Sequence, residues 1–219
     1  MRKLFLGALA FAAFVPAAHA SLVSVTFTSY GNGVTPPATP AGTTLVSNFA
    51  DSTGLTGTGN YLLVIGSSTG NYLAPAYSAS TADPNQYLAV EANATATLTL
   101  PKETGVQIYV GSLDSYNVIT FSNGLSYSGA QLASMISGLG DNGCEFCANT
   151  NGRLWFTFSP SEAVTWVEFS SSSNAFEVAQ VSSSNAIPEA STWAMLLAGL
   201  AGLGFAGYRR RTKIPSGLE

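Results

Sequence analysis

The sequence predicts an all-β fold, an antiparallel β-sandwich of jelly-roll-like type, with a single C-terminal transmembrane helix. Two observations predict the sandwich: polar and apolar residues alternate along several short stretches, and turn-forming residues separate these stretches. A third observation predicts the helix, because residues 191–208 form an uncharged apolar run. We expect about nine short strands in one domain, without the alternating helices of a parallel sheet.

The alternation is clearest in "LVSVTFTSY", where Val23, Val25 and Phe27 share one face and Ser or Thr residues occupy the other. Successive side chains of a strand point to opposite faces, so this is the pattern of a half-buried antiparallel strand. The stretches "ATATLTL" and "RLWFTFS" repeat it, and "PKETG" and "SNG" are typical of turns. Further β-rich runs are "YLLVIG", "QYLAVE", "VQIYVGSL", "NVITFS", "VTWVEFS" and "AFEVAQV".

One segment of the domain favours a helix. In Ser128–Gly140, the residues Leu132, Met135, Ile136 and Leu139 have helical spacing. A helix this short is marginal by itself, so we expect it to pack across one end of the sandwich.

The start of the chain has the layout of a secretory signal peptide. Two basic residues precede an apolar run, and Ala18 and Ala20 occupy the −3 and −1 positions of a signal peptidase site. The sequence therefore predicts a signal peptide at 1–20 and an extracytoplasmic domain at 21–186, outside the cytoplasm.

The apolar run at 191–208 is followed at once by Arg209, Arg210 and Arg211. As a helix its 18 residues would extend roughly 27 Å, which is enough for a hydrocarbon core. The arginines would keep the end of the chain on the cytoplasmic side, as stop-transfer charges.

The order of features in this tail resembles the PEP-CTERM sorting motif, over residues 187–213, with a short extension at 214–219. Pro188 and Glu189 match the Pro-Glu pair, and Trp193 and Ala194 match the variant in which Trp-Ala follows at fixed spacing. One departure is Ala190, where the family usually has Pro. The resemblance implies that an exosortase, a membrane protease, recognises the motif and removes the tail. It also implies a protein of the cell surface or extracellular matrix, made alongside exopolysaccharide and biofilm.

Two stretches of the domain, "IYVGSLDSYNVITFSNG" and "WVEFSSSSNAFEV", resemble a group of exosortase-dependent surface proteins. This resemblance implies location and fold rather than an activity.

Charge and histidine content exclude several functions. Residues 21–186 contain two basic and ten acidic residues, for a formal charge of −8, so no basic patch for nucleic acid can form. The single histidine, His19, lies in the predicted signal peptide. A Ser-His-Asp triad and a His-ligated metal site are therefore excluded from the mature domain.

Cys144 and Cys147 form "CEFC", and in an exported protein we expect them to be oxidised. A local structural disulfide is the main interpretation. A redox-active dithiol and a metal site are the alternatives, but no thioredoxin-like βαβ pattern surrounds the pair, and two thiolates are too few to close a zinc site.

Asp114, Asn117 and Glu177 are candidate ligands for calcium or another molecule, with Asp141 as a further oxygen donor. The structural alternative is that Asp114 and Asn117 stabilise a turn between strands. No cofactor is otherwise expected, and the composition still allows calcium binding through oxygen ligands.

Three functions remain open. The first is a non-enzymatic exported surface protein associated with exopolysaccharide. The second is a carbohydrate-binding module, either calcium-dependent or calcium-independent, in which exposed rings stack on sugars. The third is a glycan hydrolase that uses two carboxylates, for which Glu162, Glu168 and Glu177 are available. The rings that could serve the second function are Tyr61, Tyr72, Tyr77, Tyr87, Tyr109, Tyr116, Tyr127, Trp155 and Trp166, of which we expect Trp155 to be exposed.

Overall fold

The computed structural model describes residues 22–30, 38–185 and 200–201. The predicted signal peptide, with Ala18 and Ala20, lies outside these residues, and so does the sorting tail apart from Leu200 and Ala201, which are helical. Among the residues described, no helix is long and apolar enough to cross a membrane.

Fourteen strands form in the described part of the chain, rather than about nine. They are β1 (Leu22–Ser29), β2 (Thr44–Ser47), β3 (Leu55–Thr58), β4 (Tyr61–Val64), β5 (Ala76–Ser78), β6 (Thr81–Ala82), β7 (Tyr87–Val90), β8 (Ala94–Glu103), β9 (Gly105–Gly111), β10 (Asn117–Phe121), β11 (Ser126–Ser128), β12 (Gly152–Phe158), β13 (Val164–Ser171) and β14 (Phe176–Ser184). A helix, α1 (Gly129–Met135), follows β11, and a 3-10 turn (Pro160–Glu162) precedes β13.

The strands form two main antiparallel sheets. The larger has seven strands in the order β1-β12-β9-β14-β7-β4, with β2 also paired to β14, and the smaller has the order β11-β10-β13-β8-β3. The short strands β5 and β6 pair with each other. The expected all-β, antiparallel class is therefore confirmed, and the jelly-roll comparison stays a prediction.

The two main sheets face each other across one hydrophobic core. Phe121 of the smaller sheet lies edge-on to Phe156 and Phe158 of the larger, with ring centroids 4.9 Å apart in both pairs. Phe169 and Phe176 make a second contact of this kind, at 5.7 Å. These contacts between facing strands make the fold a sandwich.

A second, smaller cluster lies on the outer face of the larger sheet. Along β9 the side chains of Ile108 and Val110 belong to the core between the sheets, whereas Tyr109 points to the other side. There it packs with Tyr77, Tyr87 and small residues of β7 and β14. The Tyr109 hydroxyl donates to the backbone oxygen of Ala76 in β5, at 2.8 Å, which fixes the β5–β6 hairpin over the sheet.

Two local predictions need correction. The "PKETG" stretch is not all turn, because β8 continues through Pro101 to Glu103 before the chain reverses. The helix is shorter than Ser128–Gly140, since it begins after Ser128 and ends at Met135, with Ile136 as its extended C-cap residue. Its start is fixed by a capping box in which Ser128 and Gln131 exchange hydrogen bonds.

Candidate ligand-binding site

A cavity of about 350 Å³ opens on the outer face of the larger sheet, and we call it the tyrosine cavity. Its aromatic wall is Tyr77 from β5 and Tyr109 from β9, which meet edge to face with centroids 5.5 Å apart. Its remaining lining is one exposed apolar residue, Leu45, and a set of polar or small residues: Asn48, Ala50, Asp83, Asn85, Gln86, Ala179 and Gln180.

Hydrogen bonds hold the polar wall of the tyrosine cavity in place. The Tyr77 hydroxyl donates to one oxygen of Asp83, and the backbone nitrogen of Asn85 donates to the other at 2.8 Å. Gln86 donates from Nε2 to the backbone oxygen of Leu63 at 3.1 Å. The carboxylate of Asp83 is therefore a structural acceptor, and the side chain of Asn85 remains beside the cavity.

Arg153 lies next to this cavity. Its guanidinium carbon is 5.8 Å from the centre of the Tyr109 ring, and Nη2 donates to Gln180 Oε1 at 3.1 Å. This arrangement orders Gln180 at the cavity edge and stabilises the ring by a cation–π contact.

Burial shapes the ionisation of these groups. Desolvation raises the pKa of Asp83, and the hydrogen bonds from Tyr77 and Asn85 offset only part of that rise. Burial and the hydrogen bond to Asp83 raise the pKa of Tyr77 well above its usual range. In the cavity, the neutral hydroxyl of Tyr77 is therefore hydrogen-bonded to Asp83, whose charged form is disfavoured by burial.

A second pocket, of about 200 Å³, contains two of the predicted ligands, Asp114 and Glu177, and we call it the acid pocket. They meet because Gly111, the last residue of β9, pairs with Glu177 near the start of β14. The chain then continues through Ser112 to Asp114, on the rim of the pocket.

Glu177 is 1% exposed, and both of its oxygens are engaged. Oε1 accepts from the backbone nitrogen of Leu73 at 2.9 Å, and Oε2 accepts from Ser112 Oγ at 2.7 Å. Burial raises the pKa of Glu177 to about 8, against the smaller effect of these bonds, and the nearby Asp114 adds to the rise. The side chain is thus mainly protonated at neutral pH.

Asp114 is only partly buried. The Tyr116 hydroxyl lies 2.8 Å from Asp114 Oδ2 and 2.9 Å from the backbone oxygen of Asn174, and burial raises the pKa of Asp114. Gly143 backs the carboxylate closely: a Cβ there would lie 2.1 Å from Asp114 Oδ1. Only glycine fits at that contact.

Asn117, the third predicted ligand, does not join them. It is buried at the start of β10 in the smaller sheet, and its Oδ1 accepts from Ser171 Oγ at 3.0 Å. Its backbone nitrogen donates to the backbone oxygen of Asp114 at 3.1 Å, so the two residues do bound a turn. Asn117 therefore lies apart from Asp114 and Glu177, because the turn places it in the other sheet, and ligand binding by any of the three stays a prediction.

The acids considered for hydrolysis are also apart. Glu162 lies in the 3-10 turn, Glu168 accepts from Thr97 within the smaller sheet, and Glu177 lies in the larger sheet. In the described part of the chain, no group of three His, Cys, Asp or Glu residues could hold a metal ion.

The predicted disulfide is confirmed between Cys144 and Cys147, with Cα atoms 5.2 Å apart. Asn151 attaches this loop to the rest of the domain. Its Nδ2 donates to the oxygens of Cys144 and Cys147 at 2.6 and 3.1 Å, and its Oδ1 accepts from the backbone nitrogens of Ser112 and Ala76 at 3.0 and 3.2 Å.

Sequence reasoning identified some of these residues and missed others. Trp155 is 39% exposed, as expected, whereas Tyr77 and Tyr109, which were among the candidate rings, are buried at 4% and 3% exposure. Asp83, Gln180 and Asn151 had no distinctive spacing, and they acquire their roles only through strand pairing. Arg153 had one signal, since it is one of two basic residues between 21 and 186.

Comparison with known families identifies the tail. The family model for the PEP-CTERM protein-sorting motif matches residues 186–211, a segment that includes the Pro-Glu pair and the arginine cluster. No curated protein and no solved structure matches the chain. The chain therefore contains a PEP-CTERM protein-sorting motif, which marks an exported protein that is sorted to the cell envelope or surface with an exosortase as its processing partner.

Proposed function

We propose that this protein is a non-enzymatic surface protein that associates with exopolysaccharide, and that the tyrosine cavity binds a sugar residue of that polymer. The observation that supports this most is the lining of the cavity, where two tyrosine rings stand beside the side-chain amides of Asn85 and Gln180. Tyr77 and Tyr109 are only 4% and 3% exposed, so they form a largely buried wall. Contact with a sugar therefore falls mainly to the amides, which donate to and accept from its hydroxyls.

The size and charge of the cavity favour a neutral sugar. A volume of about 350 Å³ lies at the small end of the range for ligand pockets. The mature domain has a formal charge of −8, so an acidic polymer would be repelled. Arg153 is already engaged with Tyr109 and Gln180.

The buried acids support binding without catalysis. A general acid must reach the oxygen of the leaving group, either directly or through one water. Both oxygens of Glu177 are hydrogen-bonded inside the protein, to Leu73 and Ser112, and both oxygens of Asp83 accept hydrogen bonds from Tyr77 and Asn85. These carboxyl groups hold loops together, which is a structural role.

Calcium is a second proposal for the acid pocket. The Tyr116 hydroxyl lies 2.8 Å from Asp114 Oδ2 and 2.9 Å from the backbone oxygen of Asn174, so three oxygens, the atoms that calcium prefers as ligands, come together there. A metal there would join three loops at one end of the sandwich.

The test is binding of the exported protein to exopolysaccharide from its host, with calcium and with chelator. We expect saturable binding and no release of sugar. Asn85→Ala should weaken binding about five- to ten-fold, which is the loss expected for one hydrogen bond to the sugar. The substitution keeps the backbone nitrogen of Asn85, which donates to Asp83. Asn142→Ala, an exposed site outside both pockets, is the matched control.

Equal binding by both variants would contradict the tyrosine cavity as the site. Sugar release would contradict the non-enzymatic proposal. Loss of binding in chelator would show that binding requires calcium.

A further inference from the structure

The first strand of the domain begins, and the last strand ends, at the same end of the larger sheet. Leu22 of β1 pairs with Phe158 at the end of β12, Thr157 pairs with Gly105 at the start of β9, and Gly105 pairs with Ser184 at the end of β14. We call this the exit end. Three strand spacings separate β1 from β14, a distance of about 14 Å.

The sorting motif begins almost directly at this end. The match to the motif starts at residue 186, and β14 ends at Ser184, so only Asn185 lies between them. The Asn185 side chain lies beside the backbone oxygen of Lys102 and Oε2 of Glu103. With its amide nitrogen turned toward these two oxygens, it donates to them at 2.8 and 3.1 Å. The tail is therefore attached to the folded domain up to the residue before the motif.

Chain length then limits how far the motif can lie from the sheet. Pro188 is three residues beyond Asn185. An extended chain covers at most about 3.6 Å per residue, so Pro188 is within about 11 Å of Asn185. An enzyme that binds the Pro-Glu pair must come that close to the exit end while the domain is folded.

We propose that the exit end is a contact surface for the exosortase, and that it faces this enzyme during processing while the opposite end faces away. The contact surface consists of Lys102, the 3-10 turn Pro160–Glu162 and the start of β1. The partner is a membrane protease that the sorting motif already implies, and the short connection to that motif selects it over other partners. The acid pocket and the disulfide loop lie at the opposite end, next to Gly111 and Glu177.

Strand β13 offers a matched pair of positions for a test. Ser161 precedes this strand at the exit end, and Ser172 follows it at the opposite end. Both are exposed serines, Ser161 in the 3-10 turn and Ser172 in a bend, and the eight residues of β13 separate them by about 27 Å.

The experiment places the photo-crosslinking residue benzoylphenylalanine at Ser161 or at Ser172 of the full chain, in cells that make the exosortase. We expect a crosslink to the exosortase from position 161 at least about five-fold stronger than from position 172. A spacer of about twelve glycine and serine residues inserted after Asn185 adds roughly 19 Å of mean reach, so it should reduce the crosslink from position 161 several-fold.

Equal crosslinks from the two positions, or none from position 161 in a chain that is still processed, would overturn the proposal. If the spacer leaves the crosslink from position 161 unchanged, the short connection between β14 and the motif does not bring the exosortase to the exit end. These results do not depend on sugar binding, so failure here is distinguishable from failure of the proposed function.

Discussion

The side-chain oxygen of Asn151 accepts a hydrogen bond from the backbone nitrogen of Ser112, at 3.0 Å, inside the domain. Through this contact the disulfide loop is connected to the strand end that leads to the acid pocket. The same oxygen accepts from Ala76, at 3.2 Å, at the base of the hairpin that covers the tyrosine cavity. One fully buried amide therefore links both candidate pockets.

Asn151→Ala should lower the free energy of unfolding by about 2–4 kcal/mol. The substitution leaves two backbone nitrogens and the carbonyls of the disulfide loop short of buried partners. Urea unfolding of this variant beside Asn142→Ala measures the effect. If the two variants unfold at the same urea concentration, Asn151 does not have the linking role described here.

Gly143→Ala should destabilise the domain more than Gly138→Ala does. Both glycines have positive φ, 54° and 86°, so each substitution incurs backbone strain of about 1 kcal/mol. Only at Gly143 would the new Cβ meet Asp114, because nothing lies within 4 Å at Gly138. Thermal unfolding of the two variants isolates the cost of displacing Asp114, and identical midpoints would show that this contact is loose.

Stability should fall as pH rises from about 4.5 to about 8, through Glu177. Burial raises the folded-state pKa of Glu177 to about 8, whereas the ordinary pKa of a glutamate, 4.5, applies in the unfolded chain. In that window the folded protein binds the proton and the unfolded chain does not, so raising the pH favours unfolding. The burial that raises the pKa of Asp114 adds a contribution of the same sign.

Glu177→Gln should remove most of this slope, since an amide can accept from Leu73 and donate to Ser112 without titrating. Urea unfolding at pH 5 and pH 8.5 compares it with the native chain. We expect the variant to be the more stable of the two at the higher pH, and an unchanged slope would contradict a neutral Glu177.

Reduction of the Cys144–Cys147 disulfide should cost about 2 kcal/mol or less. A cross-link between residues only three apart in sequence restricts the unfolded chain little. Unfolding with and without reductant tests this. A loss far beyond that size would show that the loop has a larger role than local attachment.

The sequence predicted the long strands because their alternation is strong. Runs such as Ala94–Leu100 place alanine and leucine on one face and threonine on the other, and β8 forms there. The strands β2, β3, β5, β6 and β11 have two to four residues each, which is too few to show a period. Strands β2, β3 and β11 form by pairing with the longer strands β14, β8 and β10, and β5 and β6 pair with each other.

The candidate site was less predictable for a different reason. Asp114 and Glu177 are far apart in sequence and meet through the pairing of β9 with β14, which no local pattern specifies. Asn117 follows Asp114 by three residues and nevertheless lies in the other sheet, because a turn intervenes. The tail is the opposite case, since its motif is local and the family model matched it.

We propose above all that a sugar residue of the exopolysaccharide binds in the tyrosine cavity. The most direct measurement is amide hydrogen exchange of the exported protein with and without oligosaccharides from that polymer. We expect slower exchange at Asp83–Gln86 and along β9 near Tyr109, with the acid pocket unchanged. Protection elsewhere on the sandwich, or none at saturating sugar, would contradict the account.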